Sequence, residues 1–328
     1  MISLGGKVNK EDSLLYQKRN KLYRKGIFHC DPEIDFHGQK SDYKNEERVP
    51  KRIIPINYLD KIDNSNDLRF IWFGHSSFLI QLDNMNILVD PVFSNCASPV
   101  SFIGPKRFSE LPITIDKMPT IDLLVISHDH YDHLDYKTIK QLDNKVKKYI
   151  VPLGVEKHLL KWKINKERII TISWWEEIKI KDLSIISIPT RHFSGRVPWR
   201  NNTTLWSGYL FKNNQYKVYY TGDTGYGDHF KEVYDKYGEI DLLILENGQY
   251  DKAWPNIHMM PNQGIQAIKD LHARMTIPVH WGTFSICKHA WNDSMKQLFH
   301  RKEDLNIASI KIGEIVTYGN IYQDYWWK

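Results

Sequence analysis

Seven short apolar runs in this chain each stop at a polar side chain. LRFIWFG ends at His75, MNILV at Asp90, IDLLVIS at His128, LSIISIPTR at His192, YKVYYTG at Asp223, IDLLILE at Asn247 and IPV at His280. Runs of this length, rich in branched and aromatic residues and bounded by Gly, Pro or Asp, are strands, and several are apolar enough to be buried on both faces. Helical patterns lie between them at 135–148 (DYKTIKQLDNKVKK) and 262–273 (NQGIQAIKDLHA). Alternating strands and helices make an α/β layered domain. Ligands of such domains sit in the crevice beyond the carboxyl ends of the strands, where these polar residues project. IDLLVI at 121–126 recurs as IDLLIL at 240–245. The echo fits a core of two similar halves with a site at their junction, and it equally fits convergent strand composition.

The stretch 127–135, SHDHYDHLD, holds His128, Asp129, His130, Asp132 and His133. A lone His at a strand end is usually an ordinary hydrogen-bonded residue, but three His and two Asp within six positions are a different matter. His128 and His130 are two apart, on one face of an extended segment, whereas the helical zinc motif spaces its histidines by four. Asp132 and His133 fall in the turn entering the next helix, so the loop can offer ligands toward two adjacent points. Imidazole and carboxylate suit Zn²⁺, and the lack of a Cys ligand argues against a closed structural zinc site.

The rest of the composition sets bounds. A net charge of +6, from 45 basic and 39 acidic residues, is mild, and no stripe of basic and aromatic residues points to nucleic acid. The cluster KRNKLYRK at 18–25 reads first as a solvated arm, with contact to anionic lipid as the sharper reading. Cys30, Cys96 and Cys287 are far apart and form no CxxC pair, so no disulfide framework is expected. No apolar run has the length of a signal peptide or a membrane span, and a cytoplasmic chain is the expectation. Residues 1–66 are polar and irregular and read as an N-terminal arm packing on the core. Residues 67–328 read as one domain. Oligomeric state is not legible.

HxHxDH, as His128, His130, Asp132 and His133, followed by a distant His, Asp and His after strands, resembles the metallo-β-lactamase superfamily. The segments at 73–108, 126–136, 151–154, 173–177, 221–226 and 279–284 are similar to the N-acylphosphatidylethanolamine-hydrolysing phospholipase D family over about residues 70–284. SPVSFIGPKRF and SWWEE are the most specific of these matches. The resemblance implies a four-layer αββα sandwich with a dinuclear metal site at the sheet edges. His128, His130 and His192 would hold the first metal; Asp132, His133 and His280 the second; Asp223 would bridge them. Asp90 and His75 would orient the site, and Asp129 drops out as a ligand. Asp132, Asp223 and His258, the last a substrate-side histidine near the metals, are the catalytic candidates.

The implied cofactor is two Zn²⁺ per chain, with manganese or iron admissible. Redox di-iron relatives carry Glu where this chain has His130. The implied reaction is cleavage of N-acylphosphatidylethanolamine to an N-acylethanolamine and phosphatidic acid, by attack of a hydroxide bridging the metals. A lactonase acting on a small phosphorylated sugar acid and a non-catalytic metal-binding fold are the alternatives. The expected partner is a phospholipid or other anionic phosphodiester, with peripheral membrane contact and no nucleic acid. Trp199 and Arg200, on the aromatic and basic segment 193–206, are the substrate candidates for a head group at a bilayer. Two segments depart from the phospholipase pattern: Leu245-Glu246-Asn247-Gly248-Gln249-Tyr250, where the family carries an apolar residue followed by Pro-Ile-Gly-Ala-Tyr, and the chain between His192 and the next strand.

Overall fold

Side-chain parity along the strands explains the layering. The computed structural model describes residues 2–35, 37–44, 47–197, 199–320 and 322–328. One seven-stranded sheet runs, in spatial order, Ile315–Thr317, Arg69–Trp72, Phe78–Leu82, Met85–Val89, Ile121–Val125, Val146–Pro152 and Ile169–Ile172. Its alternate residues Phe70, Trp72, Phe78, Ile80, Ile87 and Val89 face inward. Ile71, Leu79, Leu88 and Leu124 face outward, onto the helices Tyr136–Leu142 and Glu156–Lys161.

The second sheet has six strands in the order Met275–Val279, Leu242–Glu246, Lys217–Tyr220, Gly208–Lys212, Leu183–Ile188 and Glu177–Ile180. Ile185, Tyr209, Phe211, Tyr220, Ile244 and Ile277 meet the first sheet in a shared core. Leu210, Tyr219, Leu243 and Leu245 pack outward with Phe230, Ile268 and Leu298 of the helices His229–Tyr237, Pro261–Asp270 and Asp293–Arg301. Each such side chain contributes about 1.5–3 kcal/mol on burial. The result is the αββα sandwich that the resemblance implies. The two echoing strands, Ile121–Val125 and Leu242–Glu246, hold equivalent places: each is interior to its sheet and parallel to both neighbours.

Three readings of the sequence need correction. The helical pattern at 135–148 overshoots, because Val146 already begins the strand Val146–Pro152. Lys147 and Lys148 point to solvent there while Tyr149 to Pro152 are buried. The N-terminal arm is not irregular: Lys10–Arg19 is a helix closed by a reciprocal capping box between Asn9 and Asp12. Nor is the basic run wholly solvated. Arg19 donates from Nε to Glu176 Oε1 at 3.0 Å and from Nη1 to Thr171 Oγ1 at 2.8 Å. Gly6 N donates to His158 Nδ1 at 3.0 Å, so the arm is bonded to the core at both ends of its helix. Among the described residues, no helix is long and apolar enough to cross a membrane.

Candidate metal centre

The strand ends of both sheets converge on one edge of the sandwich. Ser207 N donates to Ser127 O at 2.9 Å and Tyr209 Oη to Ile126 O at 2.8 Å, tying the two sheets together beside the 127–135 loop. His130 O accepts from both His133 N and Leu134 N, which turns the chain back on itself and presents His133 to the same space as His128. Asp135 then caps the helix Tyr136–Leu142, accepting from Lys137 N and Thr138 N. From the second sheet, Gly222 makes the turn that delivers Asp223. Its φ is +62°, and a Cβ there would lie 2.7 Å from Ser207 O, so only glycine fits.

Two groups of donors result. His128 Nε2 lies 2.8 Å from His130 Nδ1, and His192 Nε2 lies 3.2 Å from the same atom. Beside them, His133 Nε2 and His280 Nε2 each stand 3.5 Å from Asp132 Oδ2. Asp223 Oδ2 sits between the groups, at 3.1 Å from His133 Nε2, 3.2 Å from His280 Nε2, 3.9 Å from His128 Nε2 and 3.8 Å from His192 Nε2. All seven side chains assigned from sequence are thus brought together, in the grouping that the resemblance implies.

The surrounding hydrogen bonds decide which ring nitrogen each histidine presents. His192 Nδ1 donates to Ile257 O at 3.1 Å, and His133 Nδ1 to Asp90 Oδ2 at 2.9 Å. Ser127 Oγ gives its single proton to Asp90 Oδ2 at 2.5 Å and therefore accepts from His128 Nδ1 at 3.0 Å. His280 Nδ1 faces Glu246 Oε1 at 3.4 Å. Four of the five histidines are therefore held by Nδ1 and present Nε2, the arrangement typical of metal-ligating imidazoles. Asp90, placed by sequence as an orienting residue, accepts four bonds: from Ser127 N and Oγ, from Tyr220 Oη at 2.8 Å and from His133. His75 is also placed at the site, its Nε2 3.0 Å from Asp132 Oδ2.

This donor set fits metal ions. Three imidazole nitrogens converging at 2.8 and 3.2 Å match the edge of a tetrahedron around zinc, about 3.3 Å for Zn–N bonds of ~2.05 Å. His133 Nε2 and Asp223 Oδ1 are buried with no hydrogen-bond partner, which a cation between them would satisfy. The electrostatics agree. Burial holds His128, His130 and His192 below the usual imidazole range, hence neutral. Against the cost of burial, neighbouring histidines hold Asp132 and Asp223 well below the carboxylate range. Burial also opposes charge on His133 and His280, yet Asp223 and Asp132 raise both, His280 to about 9. The metal-free cluster thus keeps protons that cations would replace.

His75, Asp90 and His280 have φ of +52°, +42° and +68°. Left-handed backbone at three non-glycine residues of one site is strain that the surrounding packing sustains.

The cluster floors a cavity of about 370 Å³. Its polar wall is His130, Tyr131, Asp132, His192, Asp223, Gln249, His258 and His280, and its rim is apolar: Ala97, Pro105, Phe193, Trp254, Ile257 and Ile286. His258 belongs to the wall as expected. Trp199 and Arg200 do not: Trp199 is 76% exposed and outside the cavity lining, and Arg200 donates from Nη1 to Gly6 O at 3.2 Å, holding the arm instead of a ligand. Asp129 is turned away from the cluster, accepting from Gly195 N at 2.8 Å and paired with His158 Nε2 at 3.0 Å. Trp174 and Trp175 pack within the fold, the former donating to Trp206 O at 2.6 Å and the latter lying under Lys236 Nζ. Tyr131 also packs, with Arg196 stacked 4.0 Å from its ring centroid. The sequence reading missed the buried Glu246.

A sandwich of this topology with paired donor clusters at its strand ends is the architecture of a metal-dependent hydrolase superfamily. The family model "Beta-lactamase superfamily domain" matches residues 85–281, and the chain belongs to that superfamily. An uncharacterized protein of Mycobacterium tuberculosis is 38% identical over 249 residues, covering 75% of this chain and 67% of the relative. N-acyl-phosphatidylethanolamine-hydrolyzing phospholipase D 1 of Caenorhabditis elegans is 30% identical over 292 residues, covering 83% of this chain and 82% of its own. Among solved structures, a metallo hydrolase from the archaeon Ignicoccus hospitalis superposes with a TM-score of 0.60 at 20% identity, covering 77% of this chain and 99% of that one, a likeness of fold.

Proposed function

We propose that the protein is a two-zinc phosphodiesterase of the phospholipase D type, cleaving N-acylphosphatidylethanolamine to an N-acylethanolamine and phosphatidic acid. The observation that carries this reading is the joining of seven metal-competent side chains to an apolar-rimmed cavity. The similarity to a phospholipase of that name over most of both chains supports it. His128, His130 and His192 would hold one ion, Asp132, His133 and His280 the other, with Asp223 between. Such a pair, when bound, lowers the pKa of water and neutralises phosphodiester charge. No Lys or Arg lines the cavity among the described residues, so charge compensation has to come from the cluster itself.

The protein's own groups then have defined tasks. Asp223 and Asp132 orient the attacking water by accepting its hydrogen bonds. His258, whose Nδ1 donates to Glu246 Oε1 at 2.9 Å, turns its other edge to the cavity, where the unprotonated Nε2 can accept a hydrogen bond from the attacking water or the leaving alcohol. Water adds to phosphorus, the bond from phosphorus to the ethanolamine oxygen breaks, and the alcohol leaves with a proton. The apolar rim takes the acyl chain and limits bulk water. Phe102 and Ile103, 73% and 63% exposed, stand on the loop whose base supplies Ala97 and Pro105 to that rim. This placement supports peripheral contact with a bilayer.

Metal-analysed protein incubated with N-acylphosphatidylethanolamine, a lactone panel and a generic phosphodiester, with products read by mass spectrometry, tests the reading. Release of N-acylethanolamine is expected. Turnover of lactones alone would overturn it.

A further inference from the structure

Glu246 stands in the segment that departs from the phospholipase pattern, and its surroundings give it a task. The strand Leu242–Glu246 runs parallel to Met275–Val279 with Glu246 opposite Val279, so its side chain emerges beside His280. It is 1% exposed. A carboxylate this deeply buried is costly unless its oxygens are fully engaged. Oε1 faces two imidazoles, with His258 Nδ1 at 2.9 Å and His280 Nδ1 at 3.4 Å, while Oε2 accepts from Met259 N at 3.4 Å. The backbone is fixed as well, Glu246 N donating to Thr221 Oγ1 at 2.9 Å.

A carboxylate only accepts, so both rings must turn a protonated Nδ1 toward it. Both Nε2 atoms are then directed away from Glu246. For His280, that atom lies among the second group of donors. For His258, the ring stacks on His280 with centroids 5.2 Å apart and lies 5.2 Å from the ring of His192. One of its ring nitrogens is within 4.8 Å of ligand atoms of His192 and Asp223.

We propose that Glu246 is the positioning residue of this centre: a single carboxylate sets the tautomer and ring plane of both His280, which faces the metal, and His258, which faces the substrate. The inference rests on the metal-hydrolase class and not on the identity of the substrate. Two measurements without substrate test it. In the zinc-loaded protein labelled with ¹⁵N-histidine, two-bond ¹H–¹⁵N ring correlations are expected to show His258 as the Nδ1–H tautomer and His280 protonated at Nδ1. In chelator competition, Glu246→Gln is expected to weaken binding at the weaker zinc site by about 10–100-fold. His258→Ala, which removes no metal ligand, is expected to change that affinity by less than about twofold, because the Glu246 bond to His280 remains. Restoration of zinc affinity by Glu246→Asp would add support. Wild-type zinc affinity in Glu246→Gln, or a proton on Nε2 of either ring in the zinc-loaded wild type, would overturn the proposal. The wild-type spectrum decides it even if Glu246→Gln fails to fold. An inactive protein with the expected spectrum and zinc response would count against the phosphodiesterase reading alone.

Discussion

Asp90→Asn isolates what one buried carboxylate does for this centre. Asp90 is fully buried and accepts four hydrogen bonds, one at Oδ1 and three at Oδ2. Its φ of +42° is tolerated by Asn as by Asp, so the backbone need not move. In the best orientation the amide oxygen keeps the three bonds at Oδ2, and the NH₂ then opposes Ser127 N, which is now 2.7 Å from Oδ1. One buried donor is left without a partner, costing about 1–3 kcal/mol, and three charge-assisted bonds become neutral ones at about 0.5–1 kcal/mol each. A loss of about 2.5–6 kcal/mol follows. With ~2.1 cal/mol/K of unfolding entropy per residue, a chain of this length loses about 1.5 °C per kcal/mol, so Tm should drop by about 4–9 °C. The scan is made on metal-free protein, because bound ions would mask the change. Zinc affinity, measured separately by chelator competition, should fall about 10–100-fold, since His133 loses the group that holds its ring. A Tm within 1 °C of wild type together with unchanged zinc affinity would refute the role given to Asp90.

Further outcomes follow from the same geometry. Asp223→Ala should abolish hydrolysis by at least about 10³-fold and lower the bound metal measured by mass spectrometry, because both donor groups share that carboxylate. In metal-free protein His133 and His280 are raised above the ordinary imidazole range, His280 to about 9. Both are protonated at neutral pH and must lose that proton to bind a cation. Zinc loading should therefore release protons in calorimetry run in buffers of different ionisation enthalpy. Zinc affinity should rise with pH up to about 9, by about tenfold per unit for each proton displaced, and fall as pH decreases. Replacing Phe102 and Ile103 together by Ser should weaken liposome sedimentation while leaving hydrolysis of a water-soluble phosphodiester unchanged; Trp199→Ala should leave the latter unchanged too.

The parts of this centre legible in the sequence share one property: each is announced by local pattern. Apolar runs that stop at His75, Asp90, His128, His192, Asp223 and His280 mark strands and, with them, the edge where their ends gather. SHDHYDHLD carries four of the seven donors in one loop. Residues whose roles depend on distant partners were not legible. Glu246 works through His258 and His280, twelve and thirty-four positions away, and in sequence it is only an acid at the end of an apolar run. Arg200 has the composition of a substrate residue, yet its partner is the carbonyl of Gly6, which no local pattern reveals. The helix Lys10–Arg19 buries only Tyr16, so it has almost no apolar periodicity; the Asn9 and Asp12 capping pair was the available signal. Lys147 and Lys148 extended a helical pattern because an edge-exposed turn of strand and a polar helix face look alike over two residues.

The atom that the water attacks separates a phosphodiesterase from the alternatives. Metal-loaded protein turning over N-acylphosphatidylethanolamine in ¹⁸O-water, with both products weighed by mass spectrometry, answers this directly. Attack on phosphorus places one ¹⁸O in phosphatidic acid and none in the N-acylethanolamine. Label in the N-acylethanolamine, or in a released fatty acid, would contradict a phosphodiesterase built on these seven side chains.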